Sequence, residues 1–426
     1  MSAVEKSPVF YGWYIVGIAV LANFMSVGTN FYIFNAVMEP LCEAHGWTRG
    51  EVNFSLVIGT FTGFFASVMY GTLVMKTGPR PIMTVGGVVA GISFIALGRA
   101  ETLPTFYALY ISLFLGNAAL GGIVANTAVN NWFVRKRGTA MGVATAGVSF
   151  SGAVVPLAAL FILQATDLRS AFTYIGIALA FTGPVAYLLV RNRPEDYGIG
   201  PDGDPIEVAV PRNPDPGLPL PDMPPREEEC VWGPGQAVKT GAFWKTGIAF
   251  GLVMMGVVGV MSQLKPRFSD VGFDDITAMY MMAATAFLGA MGKYFWGMFC
   301  DRFDPRRVAA VLMALNAVGL GLALIQGSLL ALILFIVVFG FAMGGVMSTF
   351  PINVAYLFGR KSFASVLRFM SLFLVLQLVG YIIAGKSYDL TGSYNWAYFI
   401  YIFLDIAGAL LIYSVRRPVL DAVSAQ

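Results

Sequence analysis

The chain alternates long apolar stretches with short hydrophilic turns along almost its whole length. A hydrocarbon core about 30 Å thick requires roughly 20 helical residues to cross it. Because the apolar stretches have that length, we predict that each forms one membrane-spanning helix. The pattern gives twelve spans in two sets of six, at residues 11 to 36, 52 to 74, 81 to 99, 104 to 129, 139 to 164, 170 to 190, 242 to 264, 276 to 298, 308 to 326, 329 to 355, 363 to 385 and 395 to 415.

Turns of one type recur at matching places in the two sets. Residues 71 to 80 follow the second span, and the related residues 297 to 306 follow the eighth. A second repeated turn precedes the fifth span, at residues 132 to 137, and the eleventh span, at residues 356 to 361. The repeat predicts an all-α membrane protein with two pseudo-symmetric six-helix halves. Such duplicated bundles are typical of transporters.

Residues 192 to 241 interrupt the apolar pattern with many prolines and the acidic run Glu227-Glu228-Glu229. A segment of this composition cannot bury enough apolar surface to fold alone. We therefore predict three parts: an N-terminal bundle at 1–191, a linker on the cytoplasmic side at 192–241 and a C-terminal bundle at 242–426. The first apolar run is too long for the core of a signal peptide and lacks a cleavage site, so we expect it to remain as a helix.

The basic residues of the turns fall on one side of the predicted membrane, which we call the basic face. By the positive-inside rule, this face and both termini are expected to be cytoplasmic. The residues that define the basic face are Lys6, Lys76, Arg80, Arg135, Lys136, Arg137, Arg302, Arg306, Arg307, Arg360, Lys361, Arg416 and Arg417.

Composition excludes several classes of protein. Hydrophobic residues make up 57% of the chain and charged residues 12%, which a soluble domain could not accommodate. The net charge of +3 is accounted for by the turns, so we predict no nucleic-acid partner. Cys42, Cys230, Cys300 and the single histidine, His45, lack the spacing of a metal or redox site. We expect no metal, no cofactor and no enzyme chemistry.

The repeated turns resemble the signature of the major facilitator superfamily. A branch of that superfamily, the oxalate:formate antiporters and monocarboxylate porters, is suggested by residues 11 to 14, 132 to 138, 193 to 196 and 358 to 363. The resemblance implies the twelve-helix fold of that superfamily and a monomer. It also implies a gating motif on the cytoplasmic side, at Gly71, Lys76, Gly78, Arg80, Gly297, Asp301, Arg302 and Arg306.

The turn motif makes physical sense without the resemblance. An acid at a helix end and basic residues across a tight turn can bridge neighbouring helices, and such contacts can break when the halves rock. Met75 stands in the first copy where Asp301 stands in the second, so we expect a stronger charged latch in the second half. The alternative is an ordinary basic turn that only sets orientation.

Lys293 is the clearest candidate for a substrate ligand. It lies eight residues before Asp301 in the eighth span, about 12 Å from the helix end. A charge at that depth normally faces a cavity or a partner. The resemblance implies a cation here that binds a substrate carboxylate, with lysine in place of the usual arginine. Two alternatives stay open, namely a salt bridge to Asp405 and a side chain that reaches toward the headgroups.

Further polar residues at similar depth are expected to complete a pocket. Arg368 in the eleventh span is either a gate or second carboxylate ligand, or a side chain that reaches the cytoplasmic surface. Several of the neutral groups are expected to bond neighbouring helices instead of substrate. The candidate substrate-binding residues are Lys293, Asn117, Asn35, Tyr32, Gln377, Tyr381 and Arg368.

The sequence indicates a carrier of small organic anions, with monocarboxylates favoured because the eleventh span is apolar around Phe373 and Leu374, where the resembling oxalate transporters carry a lysine. The expected partners are a small carboxylate, the lipid bilayer, and either a proton or a counter-anion. We place the protein in a bacterial inner membrane. The alternatives are a proton-coupled exporter of drugs or other small molecules, and a transporter-like substrate sensor.

Overall fold

A computed structural model describes residues 10–205, 231–325 and 327–418. Within these ranges the chain is helical apart from its loops and one isolated bridge between Ile199 and Pro205. A π turn (Gly28–Tyr32) follows α1, and a 3-10 turn (Ser371–Leu376) follows α14. The helices are α1 (Gly12–Val27), α2 (Phe34–His45), α3 (Arg49–Thr77), α4 (Pro79–Leu97), α5 (Leu103–Leu120), α6 (Gly122–Trp132), α7 (Arg137–Ala165), α8 (Leu168–Leu189), α9 (Pro234–Val238), α10 (Gly241–Asp270), α11 (Asp275–Arg302), α12 (Pro305–Ala323), α13 (Leu329–Phe358), α14 (Phe363–Met370), α15 (Gln377–Thr391) and α16 (Asn395–Tyr413).

These helices occupy the places of the twelve predicted spans. In the described residues, eleven stretches are long and apolar enough to cross a membrane. The remaining span is α11, a helix of 28 residues at the eighth predicted position. Three spans are interrupted: the first comprises α1, the π turn and α2, the fourth comprises α5 and α6, and the eleventh comprises α14, the 3-10 turn and α15. The all-α fold is confirmed.

Local sequence explains where several helices begin. Pro79 and Pro305 open α4 and α12 at matching points of the two repeated turns. Proline suits the first helical position because the amide that it lacks would have no partner there. Asp304 caps α12 by accepting from the Arg306 amide, and Asp167 caps α8 in the same way.

The two halves pack their helices in the same order. In the first half, α4 packs on α8 and α5, α3 packs on α5, and α1 packs on α7. In the second half, α12 packs on α16 and α13, α11 packs on α13, and α10 packs on α15. The third, fourth and sixth spans therefore form one group in each half, as the sequence repeat requires.

The halves meet chiefly through α7 against α11 and through α3 against α14. These are the fifth, eighth, second and eleventh spans. Half of the predicted linker, residues 206–230, lies outside the described residues, and this half includes Cys230 and the Glu227-Glu228-Glu229 run. The described start of the linker is fastened to the first half, because Asp202 accepts from the amides of Val134 and Arg135 at 2.9 and 2.7 Å.

Candidate functional site

Lys293 connects the two halves. Its side chain is buried, with 5% of the residue exposed. The ammonium donates to the Thr145 carbonyl oxygen at 3.2 Å and to the Ser149 hydroxyl at 2.8 Å, both on α7 of the first half. Neither acceptor is charged, and no carboxylate in the described ranges forms an ion pair with this ammonium. The site is therefore a buried cation that is solvated by neutral oxygens.

The Lys293 side chain points away from the basic face. Its backbone lies about 12 Å from the end of α11, counted from Asp301. Ser149 lies twelve residues beyond Arg137, the first residue of α7, which is about 18 Å from the same face. The ammonium thus reaches further into the membrane than its own backbone. The alternative in which this side chain extends to the headgroups on the basic face is wrong for this conformation.

The alternative salt bridge between Lys293 and Asp405 is also absent. The Asp405 carboxylate instead accepts from the Asn316 side-chain amide at 2.8 Å. Asp405 lies on α16 and Asn316 on α12, within one group of helices in the second half. Lys293 and Asp405 therefore have separate surroundings.

Glycines bring α7 and α11 into backbone contact between Lys293 and the basic face. A Cβ atom added to Gly297 would lie 2.2 Å from the Gly138 carbonyl oxygen. One added to Gly142 would lie 2.5 Å from the Lys293 carbonyl oxygen. Because there is no room for a side chain at either position, the close approach depends on glycine. This contact holds the Lys293 backbone directly against the first half.

Asp301 closes the same contact at the basic face. Its carboxylate accepts from the Gly138 amide at 2.5 Å, from the Thr139 amide at 2.7 Å and from the Thr139 hydroxyl at 2.6 Å. These amides belong to the first turn of α7, where the helix dipole favours a negative charge. The sequence led us to expect basic residues of the turn as partners of this acid. The structure corrects that expectation, because the partner is the start of a helix in the other half.

Arg80 and Arg306 of the two repeated turns instead stabilise their own halves. Arg80 donates through Nε to the Tyr187 carbonyl oxygen at 2.8 Å, and Arg306 donates to the Val415 carbonyl oxygen at 2.6 Å. Each arginine thus ties the third span of its half to the end of the sixth. Among the other residues of the motif, Lys76 and Arg302 are exposed on the basic face, and Gly78 has a positive φ of 78° at the tight turn.

The two acids of the second turn have different partners. Asp301 accepts from Gly138 and Thr139 of the other half. The hydrogen bonds from Arg306 lower the pKa of Asp304. Asp304 also forms an ion pair with the Arg306 guanidinium at 2.5 Å. Arg306 therefore neutralises the charge of Asp304 within the turn. The Asp301 carboxylate binds the start of α7 instead.

Arg360 forms a further contact between the halves. Its guanidinium donates to the Asn131 carbonyl oxygen at 2.7 Å and pairs with the Glu195 carboxylate. In return, the Asn130 side-chain amide donates to the Arg360 carbonyl oxygen at 3.2 Å. Asn130 and Asn131 lie near the end of the fourth span, and Glu195 follows the sixth. We refer to the contacts of Asp301 and Arg360 with the first half as the basic-face gate.

Arg368 lies in the same interface. It is 8% exposed and donates to the Thr72 hydroxyl of α3. A Cβ atom on Gly71 would lie 2.6 Å from the Arg368 Cβ atom, so these two residues pack directly together. Of the two roles weighed from the sequence, this geometry favours a gate contact over a side chain that reaches the surface.

Asn117 binds the interrupted first span. Its side-chain amide donates to the Thr29 hydroxyl at 3.0 Å and to the Asn30 side-chain oxygen at 2.7 Å. The Tyr110 hydroxyl donates to the carbonyl oxygen of Asn30. Thr29 and Asn30 belong to the π turn, a feature often found at functional sites. In this conformation Asn117 connects helices, and its contact with substrate stays a prediction.

The remaining pocket candidates lie toward the opposite face. The Tyr32 ring lies against Gly152 of α7, where an added Cβ atom would meet it at 3.0 Å. Tyr381 lies on α15 and is 47% exposed. Gln377 is half-buried at the start of α15. The side chain of Asn35 lies outside the described residues.

Sequence reasoning missed the partners of the charged residues, above all Thr145, Ser149 and Glu195. A signal for α7 was available in the spacing. Gly138, Gly142, Thr145 and Ser149 follow one another at intervals of four, three and four residues, which places them on one stripe of a helix. On α11, Lys293, Gly297 and Asp301 are spaced by four and form the matching stripe. Two small, polar stripes in otherwise apolar spans indicate a helix contact.

The comparison with known families agrees with this architecture. The sequence model of the Major Facilitator Superfamily matches residues 19–274 and again residues 246–426. The chain belongs to the major facilitator superfamily. It is therefore a multi-pass membrane transporter and not an enzyme.

Two curated relatives extend over most of the chain. The oxalate:formate antiporter of Oxalobacter formigenes is 24% identical over 352 residues, which cover 82% of this chain and 78% of that protein. Monocarboxylate transporter 13 of Rattus norvegicus is 24% identical over 417 residues, covering 94% and 87%. These matches confirm the resemblance to the antiporter and monocarboxylate branch.

A solved structure confirms the fold. The proton:xylose symporter XylE superposes with a TM-score of 0.69 at 14% identity, covering 95% of each chain. At that identity the similarity concerns the arrangement of the helices and says nothing about the substrate.

Proposed function

We propose that this member of the superfamily carries small organic anions, specifically monocarboxylates, and that the substrate carboxylate pairs with Lys293. The observation that carries the proposal is the Lys293 ammonium, which is buried between the halves and held by two neutral oxygens. A buried charge without a counter-charge is unfavourable in a membrane. A carboxylate 4 Å away would stabilise it by about 4 kcal/mol at an effective dielectric constant of 20.

The names of the relatives support this substrate class. One is an oxalate:formate antiporter and others are monocarboxylate transporters. The eleventh span is apolar at Phe373 and Leu374, where the resembling oxalate transporters carry a lysine, so these two positions supply no second cation. A single ammonium matches a single carboxylate, and so monocarboxylates fit better than dianions.

The geometry also supports a mechanism of alternating access. The gate contacts of Asp301 and Arg360 close the basic face, which we propose is cytoplasmic together with both termini. The anion would then enter from the opposite face and compete with Thr145 and Ser149 for the ammonium. Pairing with the anion releases Lys293 from α7, and the deepest hydrogen bonds between the halves are lost. The halves can then rock until the basic face opens.

Asp301 and Arg360 break their contacts in the second step of this cycle. Their partners are backbone amides, the Thr139 hydroxyl, a backbone carbonyl and the Glu195 carboxylate, all at the basic face, where water can replace them when the halves separate. Lys293 lies deeper between the halves, where its partners are Thr145 and Ser149, and we assign its release to the substrate carboxylate.

Uptake of radiolabelled lactate, pyruvate, formate and oxalate into proteoliposomes tests the substrate class. The vesicles are prepared with and without internal carboxylate, and with and without a pH gradient. We expect uptake of the monocarboxylates. Dependence on internal anion would establish exchange, and dependence on the pH gradient would establish proton symport. Failure to take up any carboxylate, by protein that remains monodisperse, would refute the proposal.

A further inference from the structure

Asp405 is a buried acid that the proposed transport mechanism does not use. It has no exposed surface and lies near the middle of α16, ten residues after its first residue, Asn395. That distance corresponds to about 15 Å along the helix. Asn316, its partner on α12, is equally inaccessible. The pair therefore lies at mid-membrane depth, remote from both aqueous faces.

This pair forms one hydrogen bond and leaves one oxygen of each side chain without a donor. The Asn316 amide nitrogen donates to Asp405 Oδ2 at 2.8 Å. The two remaining oxygens, Asp405 Oδ1 and Asn316 Oδ1, are both buried and have no hydrogen-bond partner. Two acceptors cannot bond each other, because neither carries a hydrogen. A proton on Asp405 would supply the donor that these two acceptors lack.

The other surroundings of Asp405 supply no cation. On α10, Gly256 faces the carboxylate, and a Cβ atom added there would lie 3.6 Å from Asp405 Oδ1. On α16 itself, Tyr401 is nearby, but its hydroxyl donates to the Gly380 carbonyl oxygen of α15 at 2.6 Å. Among the described residues no basic side chain pairs with Asp405. An ionised carboxylate would thus be stabilised by a single neutral donor.

We infer that Asp405 is a proton-binding site and that its proton is bound in this conformation at neutral pH. The proton comes from water and resides on Oδ1, from which it is donated to Asn316 Oδ1. The Asn316 amide hydrogen is donated back to Oδ2, and the acid and the amide form a closed ring of two hydrogen bonds. Both unpartnered oxygens are then satisfied, and no net charge is buried.

This proton has a consequence for the charge of the second half. A neutral Asp405 cannot act as a distant counter-charge for Lys293. The second half therefore contributes a positive charge at the level of Lys293 until an anion arrives. The inference itself depends on the geometry of α12 and α16 and stands whether or not the proposed substrate is correct.

Infrared spectroscopy of the purified full chain in lipid nanodiscs tests the inference. A protonated carboxyl has a C=O stretch at higher frequency than an ionised carboxylate, and Asp405→Asn removes it. We expect the spectrum of D405N at neutral pH to lack one band of a protonated carboxyl. Asp204→Asn is the matched control, because Asp204 is exposed and paired with Arg135, and we expect no such loss. If D405N lost no protonated band, the inference would be overturned.

Thermal stability provides a second test that does not depend on spectra. The amide of D405N can donate to Asn316 Oδ1 and accept from the Asn316 amide, which copies the protonated acid. We expect its apparent melting temperature to remain within about 3 °C of the parent. Asp405→Leu leaves Asn316 without either bond, and we expect a larger fall. Equal destabilisation by D405N and D405L, or failure of D405N to fold, would contradict a neutral Asp405.

Discussion

The Lys293 ammonium donates to the Ser149 hydroxyl at 2.8 Å, and this bond joins α11 of the second half to α7 of the first. Ser149 lies further from the basic face than the Lys293 backbone does. Of the contacts between the halves described along α7, this bond therefore lies furthest from the basic face. The glycine contact and the Asp301 carboxylate lie closer to that face. Its release is the event that we attribute to the substrate.

Removal of the Ser149 hydroxyl is expected to loosen the closed conformation. A hydrogen bond to a charged group contributes about 1.5 kcal/mol or more. Ser149→Ala should therefore lower the ratio of closed to open molecules roughly tenfold. Double electron–electron resonance between spin labels at Lys136 and Arg302 measures this ratio, because both residues are exposed on the basic face, one in each half.

Ser151→Ala is the control for that measurement. Ser151 lies on the same helix, is buried, and donates to the Val148 carbonyl oxygen within α7. We expect it to leave the distance distribution unchanged. Equal distributions for S149A and the parent protein would show that the Lys293–Ser149 bond does not hold the halves together.

A side chain at Gly142 is expected to prevent closure of the basic face. An added Cβ atom would already lie 2.5 Å from the Lys293 carbonyl oxygen, and valine adds two further carbons. Overpacking of this kind costs about 1–3 kcal/mol or more where the backbone cannot move. Gly142→Val should lengthen the distance between labels at Lys136 and Arg302 and abolish transport.

Gly385→Ala is the matched glycine variant, since nothing lies within 4 Å of the Cβ position at Gly385. We expect this variant to transport normally. Normal uptake by G142V would contradict the requirement for close contact between α7 and α11 during the cycle.

Asp304 is expected to give the second half a stability that depends on pH. Arg306 lowers the pKa of this carboxylate in the folded state. The stabilisation is therefore fully present above the ordinary aspartate pKa of about 3.9 and is lost as the pH falls through the lowered value. Asp304→Ala should reduce the free energy of unfolding by about 1 kcal/mol at neutral pH, because it removes a helix cap.

A comparison with Asp304→Asn separates the contribution of the helix cap to stability from the contribution of the charge. Asparagine caps a helix as well as aspartate does, but it cannot form the ion pair with Arg306. We expect D304N to be less destabilised than D304A, and its deficit relative to the parent to disappear in acid. Thermal unfolding of the purified protein across a pH series measures both. A deficit of D304N that stayed constant in acid would rule out the charge as its cause.

Arg368 is expected to stabilise the closed interface between the halves through Thr72. Thr72→Val removes the hydroxyl that accepts from the guanidinium and keeps the shape of the side chain. The Arg368 guanidinium then lacks this partner in the closed interface, so the closed conformation should be populated less. The same pair of spin labels reports the change, and Thr60→Val is the control, because Thr60 bonds only within α3 at the Leu56 carbonyl oxygen. A distribution for T72V identical to that of T60V would show that Arg368 does not stabilise the closed interface through Thr72.

The sequence predicted the spans and the two halves because span length and apolar character follow directly from the thickness of the membrane. It also identified Lys293 as an unusual charge. It did not predict the partners of Lys293 and Asp301, since these depend on how the halves dock in one conformation. Asp301 illustrates the difficulty, because its partners include backbone amides at the start of α7. Almost every residue type has a backbone amide, so the sequence does not show which ones will bind an acid.

Asn117 shows a different limit. Depth and small neighbours favoured a pocket role, but its amide bonds the π turn of the first span. The interruption at Gly28–Tyr32 contains no proline, the residue that most often marks a break in a helix. The sequence position of a neutral polar residue at mid-membrane depth therefore does not show whether it binds substrate or a neighbouring helix.

Uptake of a labelled monocarboxylate by Lys293→Gln and Lys293→Arg in proteoliposomes tests the central claim most directly. Loss of a buried charged partner weakens binding by about 2 kcal/mol or more, which is roughly 30-fold in affinity. We expect K293Q to lose measurable uptake and K293R, which keeps the charge, to retain part of it. Uptake by K293Q equal to that of the parent, with the same KM, would contradict a carboxylate paired to Lys293.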